Sequence, residues 1–148
     1  MQVSPKYLKI KIIVIAKIKK IMYSLWMDML MENNPLFWEY LEKIVEENEI
    51  IIDRPKGTKH PKYENLIYVV DYGYIKNTSS MDNSGIDIFV GTDKNSKIDS
   101  IICIIDLLKK DSEIKILKGC TEIEIMDIYK LLNNSEYMKA ILVKRNLV

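Results

Sequence analysis

Four aspartates, Asp82, Asp87, Asp106 and Asp111, stand where strand-like apolar runs meet polar loops. Asp87 interrupts Ile86-Asp87-Ile88-Phe89-Val90. Side chains alternate along a strand, so Asp87 shares a face with Phe89 and opposes Ile86 and Ile88. Asp106 ends the apolar run from Ile101 to Ile105. A carboxylate in such surroundings is costly unless paired or bound to metal. The four make two Asp-x4-Asp pairs, and acids that converge repel unless a hard cation such as Mg²⁺, an oxygen-ligand metal, relieves them. Any one of them alone is more often a turn cap or a solvated strand end. The residue types therefore point to an oxygen-ligand metal site without naming a substrate.

These acids need elements to hold them. Asn34 and Pro35 open a helix whose apolar positions, Phe37, Tyr40, Leu41, Ile44 and Val45, oppose Glu39, Glu42, Glu46 and Glu47. A short strand over 49–53 runs into the turn-rich Arg54-Pro55-Lys56-Gly57-Thr58. Strands are predicted over 66–70, 86–90, 98–105 and 113–117, with polar loops over 76–85 and 106–112. Thr121 and Glu124 form a capping box for a second helix, with Ile125, Met126, Tyr129 and Leu132 as its buried stripe, and 137–143 is a last strand. Closely spaced strands between two helices predict a mainly β, α+β domain, its sheet largely antiparallel or closed into a small barrel.

The chain has 148 residues, 48% of them hydrophobic, enough for one core in a single domain. Cys103 and Cys120 lack CxxC spacing and have only His60 to join them, which argues against a disulfide framework or a zinc site. Two buried thiols in a reducing compartment are expected, hence a cytoplasmic location. The formal net charge of +1 hides an asymmetry: six of the 22 basic residues but one of the 21 acidic ones, Asp28, lie in 1–30. No uncharged run there approaches a ~20-residue membrane span, and no signal-peptide pattern is present. Residues 1–30 are expected to be a leader outside the domain, or else a basic surface-binding helix, and 31–148 the domain itself. Neither a nucleic-acid nor a membrane partner is expected, and self-association is left open.

The run Tyr68-Val-Val-Asp-Tyr72-Gly-Tyr-Ile-Lys-Asn-Thr78-Ser-Ser-Met-Asp82-Asn-Ser84-Gly-Ile-Asp87-Ile-Phe-Val resembles the signature of the family I soluble inorganic pyrophosphatases. The tyrosine spacing, the YGYI-x-x-T run and the first and last acids match it without a gap. In order around it, Ile51-Ile52-Asp53-Arg54-Pro55 looks like the family's I-E-I-P strand, and Lys62-Tyr63-Glu64 like its K-Y-E. Asp106 and Asp111 reproduce a D-x4-D pair, and Tyr129-Lys130 a tyrosine–lysine pair on the last helix. The resemblance covers about residues 50–143 and implies a small five-stranded OB-like β-barrel with flanking helices. It also implies pyrophosphate as substrate, with Mg²⁺ held by Asp82, Asp87, Asp106 and Asp111. Lys62, Tyr72, Tyr129 and Lys130 would bind phosphate, Tyr68 would line the site, and water would attack directly.

Three departures qualify the implied chemistry. Ser84 occupies the place of the family's water-activating acid, and a hydroxyl is no carboxylate base at neutral pH. Losing a general base typically forfeits about 10²–10⁴-fold in rate. Glu64 and Tyr68 are separated by only Asn65-Leu66-Ile67, so the hairpin carrying a phosphate-binding arginine is missing, and Arg54 or Lys59 would have to replace it. Glu113 stands where the family has lysine, and Lys115, two residues on, points to the same strand face as a substitute. Hydrolysis of another small phosphoanhydride or phosphate ester, or mere phosphate or metal binding, follows if these losses prevail.

Overall fold

The computed structural model describes residues 5–32, 34–93 and 97–145. The chain divides into two compact units, Met1–Pro35 and Leu36–Val148. The described part of the first includes a helix of 28 residues, α1 (Pro5–Glu32). Helix α2 (Pro35–Glu47) follows, and opens on the proline that cannot donate to a preceding turn.

Six strands follow: β1 (Ile50–Arg54), β2 (Asp71–Ile75), β3 (Ile86–Val90), β4 (Ile98–Asp106), β5 (Asp111–Lys118) and, after helix α3 (Glu122–Asn133), β6 (Met138–Lys144). They form one sheet in the order β1-β2-β3-β5-β4-β6. Every pairing is antiparallel except β3 with β5, which is parallel. The mainly β, α+β class is that expected, with six strands instead of five and β1 and β6 as the two ends of the order.

Alternation along β3, β4 and β5 sends apolar side chains to both faces, and a helix accompanies each set. Trp38, Leu41 and Val45 of α2 pack with Ile75, Ile88, Ile98, Ile101 and Ile116. Ile125, Ile128 and Leu132 of α3 pack with Tyr72, Phe89, Ile102, Ile104 and Leu117. Both helical stripes lie rotated from the predicted ones. Trp38 is buried where Phe37 and Tyr40 are exposed, and Ile128 is buried where Met126 and Tyr129 are exposed. Periodicity locates an apolar arc, but which edge of it meets the sheet depends on the fit of ridges into the sheet surface.

The strand predicted over 66–70 is absent. Only Ile67 makes a bridge, to Lys59, while Gly57 N donates to Tyr68 O at 2.8 Å and Tyr68 N to Thr58 O at 3.0 Å. The segment is thus a crossing over the turn at 55–58 that buries Tyr68 and Val70. The ladder instead begins at β2, which sequence patterning passes over because Gly73 sits at its centre. A Cβ at Gly73 would overlap the Ile51 carbonyl oxygen of β1. The glycine therefore permits the β1–β2 approach that sets Arg54 opposite Tyr72. Gly73→Ala is expected to destabilise the domain by about 3 kcal/mol, read as a lowered urea midpoint at unchanged slope.

Candidate functional site

On the α3 face of the sheet, register brings charged residues into a row. Asp111, Glu113, Lys115 and Leu117 share one face of β5, and Phe89 pairs with Leu117. That pairing sets Asp87, two residues back on β3, beside Lys115. Tyr72 pairs with Phe89 from the other side, and Tyr74 with Asp87.

Lys115 is the centre. It is buried, and an ammonium there must spend its donors on acceptors. Its Nζ donates to Tyr72 Oη at 3.0 Å, to Glu113 Oε2 at 2.8 Å and, in a tight ion pair, to Asp87 Oδ2. Lysine has three N–H donors, so the set is complete. Burial pulls the Lys115 pKa down, but Asp87 and Glu113 outweigh it and leave it raised. Burial likewise pushes Glu113 up, and Lys115 and Lys109 bring it below the ordinary value. The Tyr72 phenol is driven far up by burial and then by the charge and hydrogen bond of Asp87, so it remains a neutral hydroxyl.

Around this centre the aromatics stack. Tyr68 and Tyr72 rings lie 5.0 Å apart, and the Arg54 guanidinium sits 5.6 and 5.4 Å from their centroids. Arg54 Nη1 donates to Tyr68 Oη at 2.6 Å. A guanidinium over two rings is held in orientation, and its Nε lies 4.0 Å from Asp53 Oδ2. His60 stacks near Tyr68, and its pKa is lowered by burial, then by the positive charges of Arg54, Lys62 and Lys109.

The other predicted residues are placed as follows. Asp106 and Asp111 pair directly across the β4–β5 hairpin and border an open cleft of about 420 Å³. Like charges so paired destabilise a ladder unless compensated. Asp106 Oδ1 accepts from Leu108 N at 2.8 Å and Lys109 N at 3.0 Å, and Lys109 lies within electrostatic reach of Asp111. Asp82 Oδ1 accepts from Ser80 Oγ and Ser84 N, and hydrogen bonds from Ser84 and Ser80 bring its carboxyl down to about 2. Ser84 is thus a member of the Asp82 turn. Tyr129 and Lys130 lie exposed on α3, and among the described residues no side-chain hydrogen bond or ion pair joins Lys62, Tyr129 or Lys130 to the Lys115 cluster.

Among the described residues no three acids, histidines or cysteines converge into a metal-binding group. The donor set still fits Mg²⁺ in its usual manner, in which one or two carboxylates hold a cation that keeps several waters and takes further oxygens from phosphate. The Asp106–Asp111 pair across the hairpin is the pair of carboxylates that such a mode would use. Lys109 is the residue sequence reasoning missed, while Glu113, noted there as a departure on the face of Lys115, proves to be that lysine's hydrogen-bond partner. Lys109 carried no signal, because only the hairpin turns it back to Glu113, at 3.1 Å.

No protein-family model matches the chain, and no curated protein matches it in sequence. Among solved structures it is similar to an inorganic phosphatase from Anaplasma phagocytophilum, at 13% identity and TM-score 0.44, over 64% of this chain and 82% of that one. The inorganic pyrophosphatase of Helicobacter pylori is similar at 10% identity and TM-score 0.46, over the same shares. An inorganic pyrophosphatase from Coxiella burnetii is similar at 13% identity and TM-score 0.43, over 62% and 81%. Similarity at this level leaves the functional reading to the residues themselves.

The Lys115 cluster gives stability a defined pH window. Glu113 titrates below its ordinary value, so its contribution is whole above about pH 4.5 and fades as pH falls through the folded value. Lys115 titrates above its ordinary value, so its contribution is whole below about pH 10.5 and fades as pH rises further. Lys115→Met, which strands Asp87 and Glu113, is expected to cost roughly 3–5 kcal/mol at neutral pH. Thermal melts across pH should also show a shallower alkaline fall in the variant than in the parent.

Proposed function

We propose that the chain is a Mg²⁺-dependent hydrolase that cleaves inorganic pyrophosphate to two phosphates by direct attack of water. The observation that supports it best is the assembly, from segments far apart in sequence, of Arg54, Tyr68, Tyr72, Asp87 and Lys115 into one connected patch. Tyr72 and Asp87 carry roles in the signature the sequence resembles, and Arg54 and Lys115 are the substitutes its departures call for.

Pyrophosphate brings several negative charges, which must be offset before a nucleophile approaches phosphorus. Arg54 presents a planar fork suited to two phosphate oxygens and is held by Tyr68. The Tyr72 hydroxyl, kept neutral, orients an oxygen by hydrogen bonding. Lys115 can turn to phosphate only when Asp87 or Glu113 takes another partner, because its three donors are otherwise occupied. Asp106 and Asp111, which pair across the hairpin, would hold Mg²⁺, which would supply charge neutralisation and a more acidic bound water, while Asp82 stays tied into its own turn and Asp87 would join only on leaving Lys115. Lys62, Tyr129 and Lys130 would complete the phosphate contacts from the rim. Free Cys103 and Cys120 support a reducing, cytoplasmic setting.

One observation favours a second reading, a phosphate- or metal-binding module with impaired chemistry. Ser84 replaces the acid that would activate water, and it is engaged with Asp82 in a turn.

Phosphate release from pyrophosphate with Mg²⁺ tests both. Asp87→Asn is expected to abolish turnover, and Ser84→Asp to raise it by about 10²–10⁴-fold. Arg54→Ala is expected to raise KM about tenfold, the loss of one charge-assisted contact. No release from the parent, and none from Ser84→Asp, would overturn hydrolysis of pyrophosphate. Calorimetric binding of pyrophosphate in that case would establish the second reading, and release from nucleotides alone would assign another phosphoanhydride.

A further inference from the structure

Helix α1 combines a charge excess with an apolar surface, and the Lys115 site accounts for neither. Residues 1–30 hold six lysines against one acid. Every described side chain from Lys9 to Trp26 is exposed, including Ile10, Ile12, Ile13, Val14, Ile15 and Ile18. Exposing a row of isoleucines to water on a folded helix is unfavourable, at roughly 25 cal/mol for each Å² of apolar surface. A partner that takes apolar and positive groups together would remove that cost.

The arrangement identifies the partner. Lys9, Lys17 and Lys20 are spaced i, i+8, i+11, which brings them to one side of a helix of 3.6 residues per turn. The apolar side chains cover more than half of the circumference, far wider than the narrow seam along which two helices pack as a coiled coil. Lys11 and Lys19 fall within that arc. A second copy would bury both ammonium groups and bring two strongly basic helices together, whereas a lipid surface lets long lysine stems lie in the apolar layer with heads at the phosphates. Tyr23 and Trp26, with ring centroids 6.3 Å apart, supply the amphipathic rings that favour the headgroup level. No helix among the described residues is long and apolar enough to cross a membrane.

We propose that α1 binds the surface of bilayers rich in anionic phospholipid, independently of the Lys115 site. Each lysine near such a surface contributes about 1 kcal/mol. The full chain is incubated with vesicles of phosphatidylcholine alone and with vesicles containing phosphatidylserine, and the bound fraction is measured by flotation. Binding is expected only with phosphatidylserine, and it should weaken with added salt. Replacing Lys9, Lys17 and Lys20 by Gln should lower the partition coefficient about 100-fold, which is the three contributions at tenfold per 1.4 kcal/mol. Trp26 emission should shift to the blue on binding, a change lost in Trp26→Phe, since the other tryptophan, Trp38, is already buried. Circular dichroism distinguishes loss of binding from loss of helix in the variants. Equal flotation with both vesicles, no flotation with either, or a stable dimer by sedimentation that depends on α1 and does not float would each overturn the proposal.

Discussion

A buried ammonium must be surrounded by acceptors, and much of the candidate site follows from how Lys115 meets that demand. Its three donors reach Tyr72, Asp87 and Glu113, which come from β2, β3 and β5. Three strands are thereby tied at one point on the face that α3 covers. Tyr72 stacks on Tyr68, and Tyr68 holds Arg54, so the order imposed at Lys115 reaches the rim. The same bonds that hold the strands also restrain the lysine from other anions. Any change that frees Lys115 from Asp87 or Glu113 therefore also loosens the tie between the strands.

The sheet supports this arrangement by being apolar on both faces. Ile88, Ile101 and Ile116 face α2, while Phe89, Ile102 and Leu117 face α3. The carboxylates Asp87, Glu113, Asp111 and Asp106 gather at one end of the α3 face. Gly73 and Thr78 set the approach to that end. The first lets β1 close against β2, and the second ties the 76–85 loop by donating to Ile75 O and accepting from Ile86 N. The loop so tied carries Asp82 and Ser84.

Charge divides the chain as burial divides the sheet. The domain is acidic where its candidate site gathers carboxylates, and the basic residues of α1 lie apart in sequence.

Local rules determined much from sequence alone. Thr121 and Glu124 form the capping box expected, because both partners lie within one helical turn. Pro35 opens α2, and the apolar runs of β3, β4 and β5 are strands, because their β-branched side chains suit a pleated surface. The signature spacing singled out Tyr72 and Asp87, and strand alternation put Lys115 on the face of Glu113. Only the tertiary structure decided the rest. It turned 66–70 into a crossing, since that segment's bonds go to a turn ten residues away. It rotated the buried edges of α2 and α3, since packing depends on the opposing sheet. It paired Lys115 with Asp87, 28 residues away, and turned Asp82 and Asp106 onto their own loops. The energy of a carboxylate is set by its neighbours in space, and register and burial, which bring those neighbours, arise only when the strands pair.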